Sequence, residues 1–472
     1  MRVARDPDGL LDLAARFYRD FYERLARTFA SRNLRTRRPD KDNKDRPVRL
    51  KRFSIVLLSV TATVTVGLFL LNISSGEPKI TERIEHHYGI ADPQFQRSMS
   101  VLLGPPLVDG NRVDTLLNGR QIFPAMLSAI RSAKKTITFE TYIYWSGKVG
   151  KQFATALTER AKSGVHVHLL LDWVGSNRMD QSLLDSMRAA GVEIEKYHAP
   201  KWYTLSKLNN RTHRKLLVVD GKVGFTGGVG IADEWDGNAQ DPDHWRDTHF
   251  RIEGPAVAQM QAAFIDNWLK VTGIILDGPD YLPAESPVGK DLAQMFKSSR
   301  EGGSESMQLM YLLSIVSATR SIDLAMAYFV PDELSESALV DAMKRGVKVR
   351  MILPGPYTDT EVLRQASHAK WGRLLRAGAE IYEFEPTMFH CKVMVVDGLW
   401  SSVGSTNFDN RSFRLNDEAN LNVFSAEFAE RQTAIFNEDL KRSRRVSYEE
   451  WQNRPWTEKV SERAEALLNS QL

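Results

Sequence analysis

The sequence predicts an α/β protein of two similar halves, with one membrane-spanning helix ahead of them. Three observations carry that expectation: helical patterns alternate with short apolar strands, whole passages return at a nearly fixed offset, and residues 53–76 hold no charged side chain. The alternation is the pattern of helices packed on a mostly parallel sheet. At 472 residues the chain is too long for one ordinary core and suits two domains plus extras.

From its start, the chain opens on a basic segment, residues 1–52. Leu10, Leu13, Ala14, Phe17, Phe21, Leu25 and Phe29 recur at spacings of three and four, with Arg16, Arg19, Arg24 and Arg27 between them. That is a basic amphipathic helix, suited either to an anionic membrane surface or to packing on protein. Residues 32–52 follow as a solvated cationic linker with ten Lys and Arg. At 1.5 Å per residue, the uncharged stretch 53–76 spans about 36 Å as a helix, against a hydrocarbon core of about 30 Å. Thr61, Thr63 and Thr65 lower its hydropathy but can bond back to the helix backbone. Positive residues crowd its N-terminal flank, which places the N-terminus in the cytoplasm and everything after Gly76 in the periplasm or otherwise outside the cytoplasm.

Residues 77–107 read as a linker, 108–283 as the first half, 284–446 as the second and 447–472 as a helical tail. The halves announce themselves by repetition. Ala133-Lys134-Lys135-Thr136-Ile137 returns as Ala318-Thr319-Arg320-Ser321-Ile322, Gly164-Val165 as Gly346-Val347, and Ala190-Gly191-Val192 as Ala377-Gly378-Ala379. Gly164 and Gly346 stand where a helix ends and a strand begins, as C-cap glycines do.

Within this repeat lies the chemistry. His390-Cys391-Lys392-Val393-Met394-Val395-Val396-Asp397 matches His213-Arg214-Lys215-Leu216-Leu217-Val218-Val219-Asp220. A histidine and a lysine two apart on an extended strand share one side, so an imidazole meets a fixed ammonium. The apolar run after each fits a strand buried on both faces, closed by an Asp-Gly turn. Gly404-Ser405-Thr406-Asn407 follows the second copy and Gly227-Gly228 the first, with backbone, hydroxyl and amide donors suited to phosphate oxygens. The first copy has Gly228 for the serine and Gly230 for the asparagine. Gly230 cannot offer a carboxamide, so the complete phosphate cradle belongs to the second half, and Gly230→Asn is expected to leave turnover intact.

The two stretches resemble the HKD motif of the phospholipase D superfamily, H-x-K-x4-D-x6-G-S-x-N, present twice at 207–234 and 384–411. From about Val108 to Phe424 the chain is similar to bacterial cardiolipin synthases, most specifically in the run Phe408-Asp409-Asn410-Arg411-Ser412-Phe413-Arg414-Leu415-Asn416. The resemblance implies two α/β/α halves around a pseudo-twofold axis, with both His-x-Lys segments meeting at one cleft. It implies phosphatidyl transfer through a phosphohistidine, with cardiolipin as product and phosphatidylglycerol as acceptor. Hydrolysis to phosphatidic acid and a membrane-tethered nuclease are the alternatives. In this reading His213 attacks phosphorus, His390 serves the leaving and incoming alcohols, and Lys215, Lys392 and Asn407 stabilise equatorial charge. Glu418 lies where the family has the carboxylate for the second histidine, and Asp247 is the candidate for the first. Asp220 and Asp397 complete the motif, though as turn residues they read as structural.

No cofactor or metal is expected, since two histidines and two lysines supply nucleophile, acid and cations. His86-His87 and His166-x-His168 read as linker polarity and strand periodicity rather than metal ligands. Residues 1–76 hold 16 Lys and Arg against 8 Asp and Glu, and the remainder 47 against 51. The catalytic portion is thus mildly acidic, which disfavours a nucleic-acid partner. Phospholipids and the membrane are the expected partners, with no obligate protein partner evident. Cys391, the one cysteine, excludes an intrachain disulfide and reads as a buried small apolar residue facing away from His390. Trp202, Tyr203 and Phe389 suit either an acyl-chain entrance or packing.

Overall fold

Two Asp-Gly turns decide how the motif strands pair. Asp220 and Gly221 both have positive φ (53° and 61°), as do Asp397 and Gly398 (54° and 62°). Two successive left-handed residues make a tight turn, closed by Lys222 N to Val219 O at 3.0 Å and Leu399 N to Val396 O at 3.1 Å, so each motif strand folds straight back on the next. The aspartate side chains then fasten each hairpin to the start of a neighbouring strand. Asp220 accepts the backbone N–H groups of Lys134, Lys135 and Thr136 at 2.7 to 3.2 Å. Asp397 does the same for Thr319, Arg320 and Ser321 at 2.7 to 2.9 Å. Both motif aspartates are therefore structural clamps.

The structure is a computed structural model and describes residues 56–61, 63, 67, 80, 82–199, 209–284, 286–299, 306–455 and 459. The first half contributes strands β1 (Val108–Leu117), β2 (Thr136–Thr141), β3 (His166–Asp172), β4 (Glu193–Tyr197), β5 (Leu216–Val219), β6 (Val223–Gly227) and β7 (Thr248–Glu253). The second contributes β8 (Asp291–Ser298), β9 (Ser321–Met326), β10 (Phe329–Val330), β11 (Lys348–Pro354), β12 (Glu380–Phe384), β13 (Lys392–Val396), β14 (Trp400–Gly404), β15 (Phe408–Asp409), β16 (Glu418–Phe424) and β17 (Ser443–Val446).

All but β10 and β15 join one sheet of fifteen strands, ordered β17-β12-β11-β9-β13-β14-β16-β8-β1-β7-β6-β5-β2-β3-β4. Outward from the antiparallel β8–β1 seam the order is the same on both sides, with β17 added at one edge. The duplication seen in the sequence is thus a pseudo-twofold repeat, and the two halves share one body. A mostly parallel sheet is not what forms. Four pairings in it are parallel, among β2, β3 and β4 and among β9, β11 and β12, and ten are antiparallel. The physical reason is the pair of tight Asp-Gly turns, which admit no crossover helix.

Side chains alternate along the motif strands into two apolar layers. Leu217 and Val219 join the first-half core and Met394 and Val396 the second-half core, whereas Leu216, Val218, Val393 and Val395 join a third cluster shared by both. Both faces are buried, as the unbroken apolar runs required. Within the stretch read as a linker, helix α1 (Pro93–Leu102) is capped by Asp92, which accepts from Gln94 N at 2.7 Å. It buries Phe95 and Met99, with Ile90 and Leu103, in the second-half core.

The whole basic segment 1–52 and most of the predicted span 53–76 lie outside the described residues. Those of the span that are described, 56–61, 63 and 67, are helical, and Thr61 and Thr63 bond back to Leu57 O and Ser59 O, each at 2.8 Å. Among the described residues no helix is long and apolar enough to cross a membrane. Trp202 and Tyr203 also fall outside them.

Candidate active site

Each histidine stands just ahead of its motif strand rather than on it, and its backbone is tied to the opposite half. Thr212 bridges in parallel to Asp417, and His213 N donates to Asp417 O at 2.8 Å. Phe389 bridges to Arg246 in the same way, and His390 N donates to Arg246 O at 2.7 Å. The residue after each acceptor supplies the carboxylate. His213 Nδ1 lies 3.0 Å from both Glu418 carboxylate oxygens, and His390 Nδ1 lies 2.8 Å from Asp247 Oδ2. The expected pairing is therefore exchanged: Glu418 serves the first histidine and Asp247 the second. Sequence order suggested a partner within the same half, but the seam brings the start of β16 beside His213 and the start of β7 beside His390.

Around the carboxylates the halves differ. Ser405 Oγ donates to Glu418 Oε2 at 2.5 Å, and Asn416 Nδ2 lies 3.4 Å from Oε1. Asp247 instead accepts from the indole N–H of Trp235 at 2.9 Å and from Thr248 N at 2.8 Å. Gly228, at the serine's place in the repeat, presses on Asp247, where an added Cβ would sit 2.2 Å from Oδ1. Ser405 is fully buried, and Gly227, Gly228, Gly404 and Ser405 are not among the cavity-lining residues. Ser405 and Gly228 instead stand behind the two carboxylates. Gly230 has no room for the missing asparagine either: its Cβ would lie 2.8 Å from Ile143 Cβ and 3.1 Å from the Trp235 ring. Trp235 fills that space, which overturns the expectation that Gly230→Asn is harmless.

The lysines differ as well. Lys215 Nζ donates to His213 O at 2.8 Å and lies over the Tyr142 ring. Lys392 Nζ reaches His390 O at 2.7 Å but also the ring nitrogens, Nδ1 at 3.0 Å and Nε2 at 3.2 Å. Burial lowers the His213 pKa to about 4, with the Glu418 carboxylate opposing and Lys215 assisting. Burial, then Lys392, lowers that of His390 against the pull of Asp247. Lys215 is brought down to about 7, chiefly by burial, and Lys392 is lowered for the same reason. Burial would raise Asp247 and Glu418, but the facing histidines and lysines outweigh it and hold both ionised.

With each carboxylate accepting Nδ1–H, each imidazole keeps its lone pair on Nε2. Both rings, Lys215 and Asn407 line one cavity of about 320 Å³. Among the described residues Asn407 Oδ1 is buried without a hydrogen-bond partner, an acceptor open to a ligand's donor. Neutral imidazoles and lowered ammoniums form a centre able to attack an anionic phosphodiester and to gain charge stabilisation when that anion arrives.

Several residues here escaped sequence reasoning. Tyr142 packs edge-on to His213 at 5.1 Å and Tyr328 to His390 at 6.4 Å. They are one place apart in the repeat, since Tyr142 directly follows β2 whereas Tyr328 stands two residues after β9, where its counterpart is Ile143. Trp235 and Trp245, 5.3 and 5.6 Å from the His390 ring, and Arg211, Arg411 and Asp359 on the cavity wall carried no signal from the repeat either. Phe389 is core, its ring tilted against that of Phe384 at 5.0 Å. Cys391 is buried against Thr248 with its thiol pushed up to about 12 by burial.

A family model for the cardiolipin synthase, phospholipase D-like domain matches residues 126–268 and 311–440. A cardiolipin synthase of Geobacillus kaustophilus is 36% identical over 367 residues, 77% of this chain and 73% of its own. Cardiolipin synthase A of Pseudomonas syringae is 35% identical over 355 residues, 75% and 74% respectively. Among solved structures, phosphatidylserine synthase of Haemophilus influenzae matches with a TM-score of 0.64 at 14% identity, covering 80% of this chain and all of that one, a likeness of fold.

Proposed function

This chain belongs to the cardiolipin synthase family of phospholipase D-like proteins, and from that premise we propose that it makes cardiolipin by moving a phosphatidyl group onto phosphatidylglycerol. The observation that carries the reading is one cavity holding two imidazoles, each ring fixed by a carboxylate from the other half.

His213 is the nucleophile. Its Nε2 carries the lone pair and its pKa of about 4 keeps it neutral near pH 7, while Lys215 donates to a carbonyl rather than to the ring. At His390 the lysine ammonium lies 3.2 Å from Nε2, the nitrogen that carries the lone pair, which blunts it as a nucleophile. As Nε2 of His213 bonds to phosphorus, the bond to the headgroup alcohol breaks, and His390, protonated once the phosphate anion is bound, gives that alcohol its proton. A hydroxyl of phosphatidylglycerol then attacks phosphorus, passes its proton to His390 and frees His213. Lys215, Lys392 and Asn407 balance the equatorial charge. The uncharged stretch 53–76 and its basic flank support a single anchor, N-terminus in the cytoplasm, with the catalytic body on the other side. A reporter fused after Leu472 that works only in the cytoplasm would overturn that topology.

The test is lipid mass spectrometry on the purified full chain in micelles of phosphatidylglycerol. Cardiolipin with an equal amount of glycerol is expected, and phosphatidic acid as the sole product would overturn transfer.

A further inference from the structure

The cavity is polarised, and the polarity breaks the pseudo-twofold repeat. Beside His213 lie Arg211, Arg411 and Lys215; on the His390 side lie Tyr328 and the carboxylate of Asp359, while the other lining carboxylate, Asp409, is buried, accepts from Ser412 N at 2.7 Å and has its pKa pushed up to about 6 by burial. Asp359 belongs to the loop between β11 and the helix Glu361–Ala377. It is exposed at the cavity rim, and its Oδ2 accepts the Tyr328 hydroxyl at 2.5 Å. Among the described residues Oδ1 has no hydrogen-bond partner. Tyr328 in turn meets the His390 ring edge-on at 6.4 Å, and the Asp359 charge acts on both His390 and Lys392.

Counted back from the helix cap, Thr360 in the second half and Asp180 in the first, the residue matching Asp359 is Met179, buried in the first-half core. The carboxylate therefore faces the cavity on one side only. Near an anionic phosphodiester a second anion costs about 1 kcal/mol even in water at 4 Å, and more in a cleft. Its place there calls for a ligand group that donates hydrogen bonds. Both the departing and the incoming alcohol lie on the His390 side, because in-line displacement at phosphorus puts them opposite His213.

We propose that Asp359, oriented by Tyr328, binds the polyol end of the acceptor, taking a hydrogen bond from the hydroxyl next to the one that attacks phosphorus. This rests on the transfer reading and deepens it: Asp359 is a specificity residue that selects a vicinal diol over water and over simple alcohols. The attacking hydroxyl still gives its proton to His390, and Asp359 takes none. A monohydroxy alcohol or water lacks the adjoining hydroxyl and gains nothing from this contact in the transition state, which lowers its share of the phosphatidyl intermediate.

The experiment compares wild type, Asp359→Asn and Asp359→Ala as full chains in phosphatidylglycerol micelles, recording cardiolipin and phosphatidic acid together. Free glycerol and 1-propanol then compete as soluble acceptors. Asp359→Ala should lower the ratio of cardiolipin to phosphatidic acid about tenfold and erase the preference for glycerol over propanol, with Asp359→Asn between it and wild type. An unchanged ratio and preference in Asp359→Ala, when wild type makes cardiolipin, overturns this inference alone. Equal loss of both products in both variants, with unaltered melting, also overturns it, since the partition would not have moved. A wild-type protein that makes no cardiolipin overturns the transfer reading and this one with it.

Discussion

The two histidine sites are built on the same strand order and pinned by the same bridges, yet they are finished differently. Glu418, which holds His213, is braced by the Ser405 hydroxyl; Asp247, which holds His390, is braced by the Trp235 indole. Lys215 bonds the backbone of its histidine alone, whereas Lys392 bonds the backbone of its histidine and also reaches Nε2 of the imidazole. Duplication supplied two equal imidazoles, and the surroundings assigned them different work. The first keeps its lysine off the ring, which fits the attack proposed for it, and the second lies against a cation and aromatic side chains. Because each carboxylate comes from the other half, neither half holds a complete site.

The sharpest break in this comparison comes from exchanging charge at the carboxylates. Glu418→Gln should lower kcat by about 10³-fold or more, as when an orienting carboxylate behind a catalytic histidine is lost. Asp247→Asn should do likewise through His390. Steady-state rates with unchanged melting curves check both, and a loss under tenfold would mean that the rings orient themselves.

Next in size is repair of the degenerate motif. Gly230→Asn and Gly228→Ser restore the family spelling but collide with Trp235 and with Asp247. Each should destabilise the fold by about 1–3 kcal/mol and reduce turnover rather than improve it. Thermal unfolding beside activity measures this, and a variant as stable and active as wild type would show that the halves are interchangeable there.

The pH response separates the sites more gently. The folded His213 pKa of about 4 lies below its unfolded value near 6.5, so the unfolded chain binds more protons between those limits. That contribution to stability is complete above about 6.5 and is lost as pH falls through about 4. The acid limb of kcat/KM should accordingly fall below the ordinary imidazole range, because attack needs neutral His213. A limb centred at 6.5 would contradict the assignment.

The smallest effect belongs to Cys391. Cys391→Ala removes a buried thiol facing Thr248 and should cost about 1 kcal/mol of stability with little change in rate. A large loss of turnover would tie that side chain to the chemistry.

Local grammar made much of this legible in the sequence. The two His-x-Lys runs, the Asp-Gly turns, the doubly buried strands and the repeat each depend on residues close in the chain. What was misread depends on contacts across the seam. Glu418 and His213 are 205 residues apart and Asp247 and His390 143, so nothing local says which carboxylate meets which ring. Gly228 and Gly230 looked like lost function and are instead the space that Asp247 and Trp235 occupy. Ser405 looked like a phosphate donor because motif spelling records a residue type without its direction.

The central claim, that His213 attacks while Glu418 of the other half holds it, is tested most directly by trapping the intermediate. His390→Ala protein treated with a phosphatidyl ester of 4-nitrophenol, whose leaving group needs no acid, should carry a phosphatidyl adduct on the His213 peptide, and adding Glu418→Gln should abolish it where Asp247→Asn does not. An adduct mapped to another residue, or one that depends on Asp247 and survives Glu418→Gln, would contradict it.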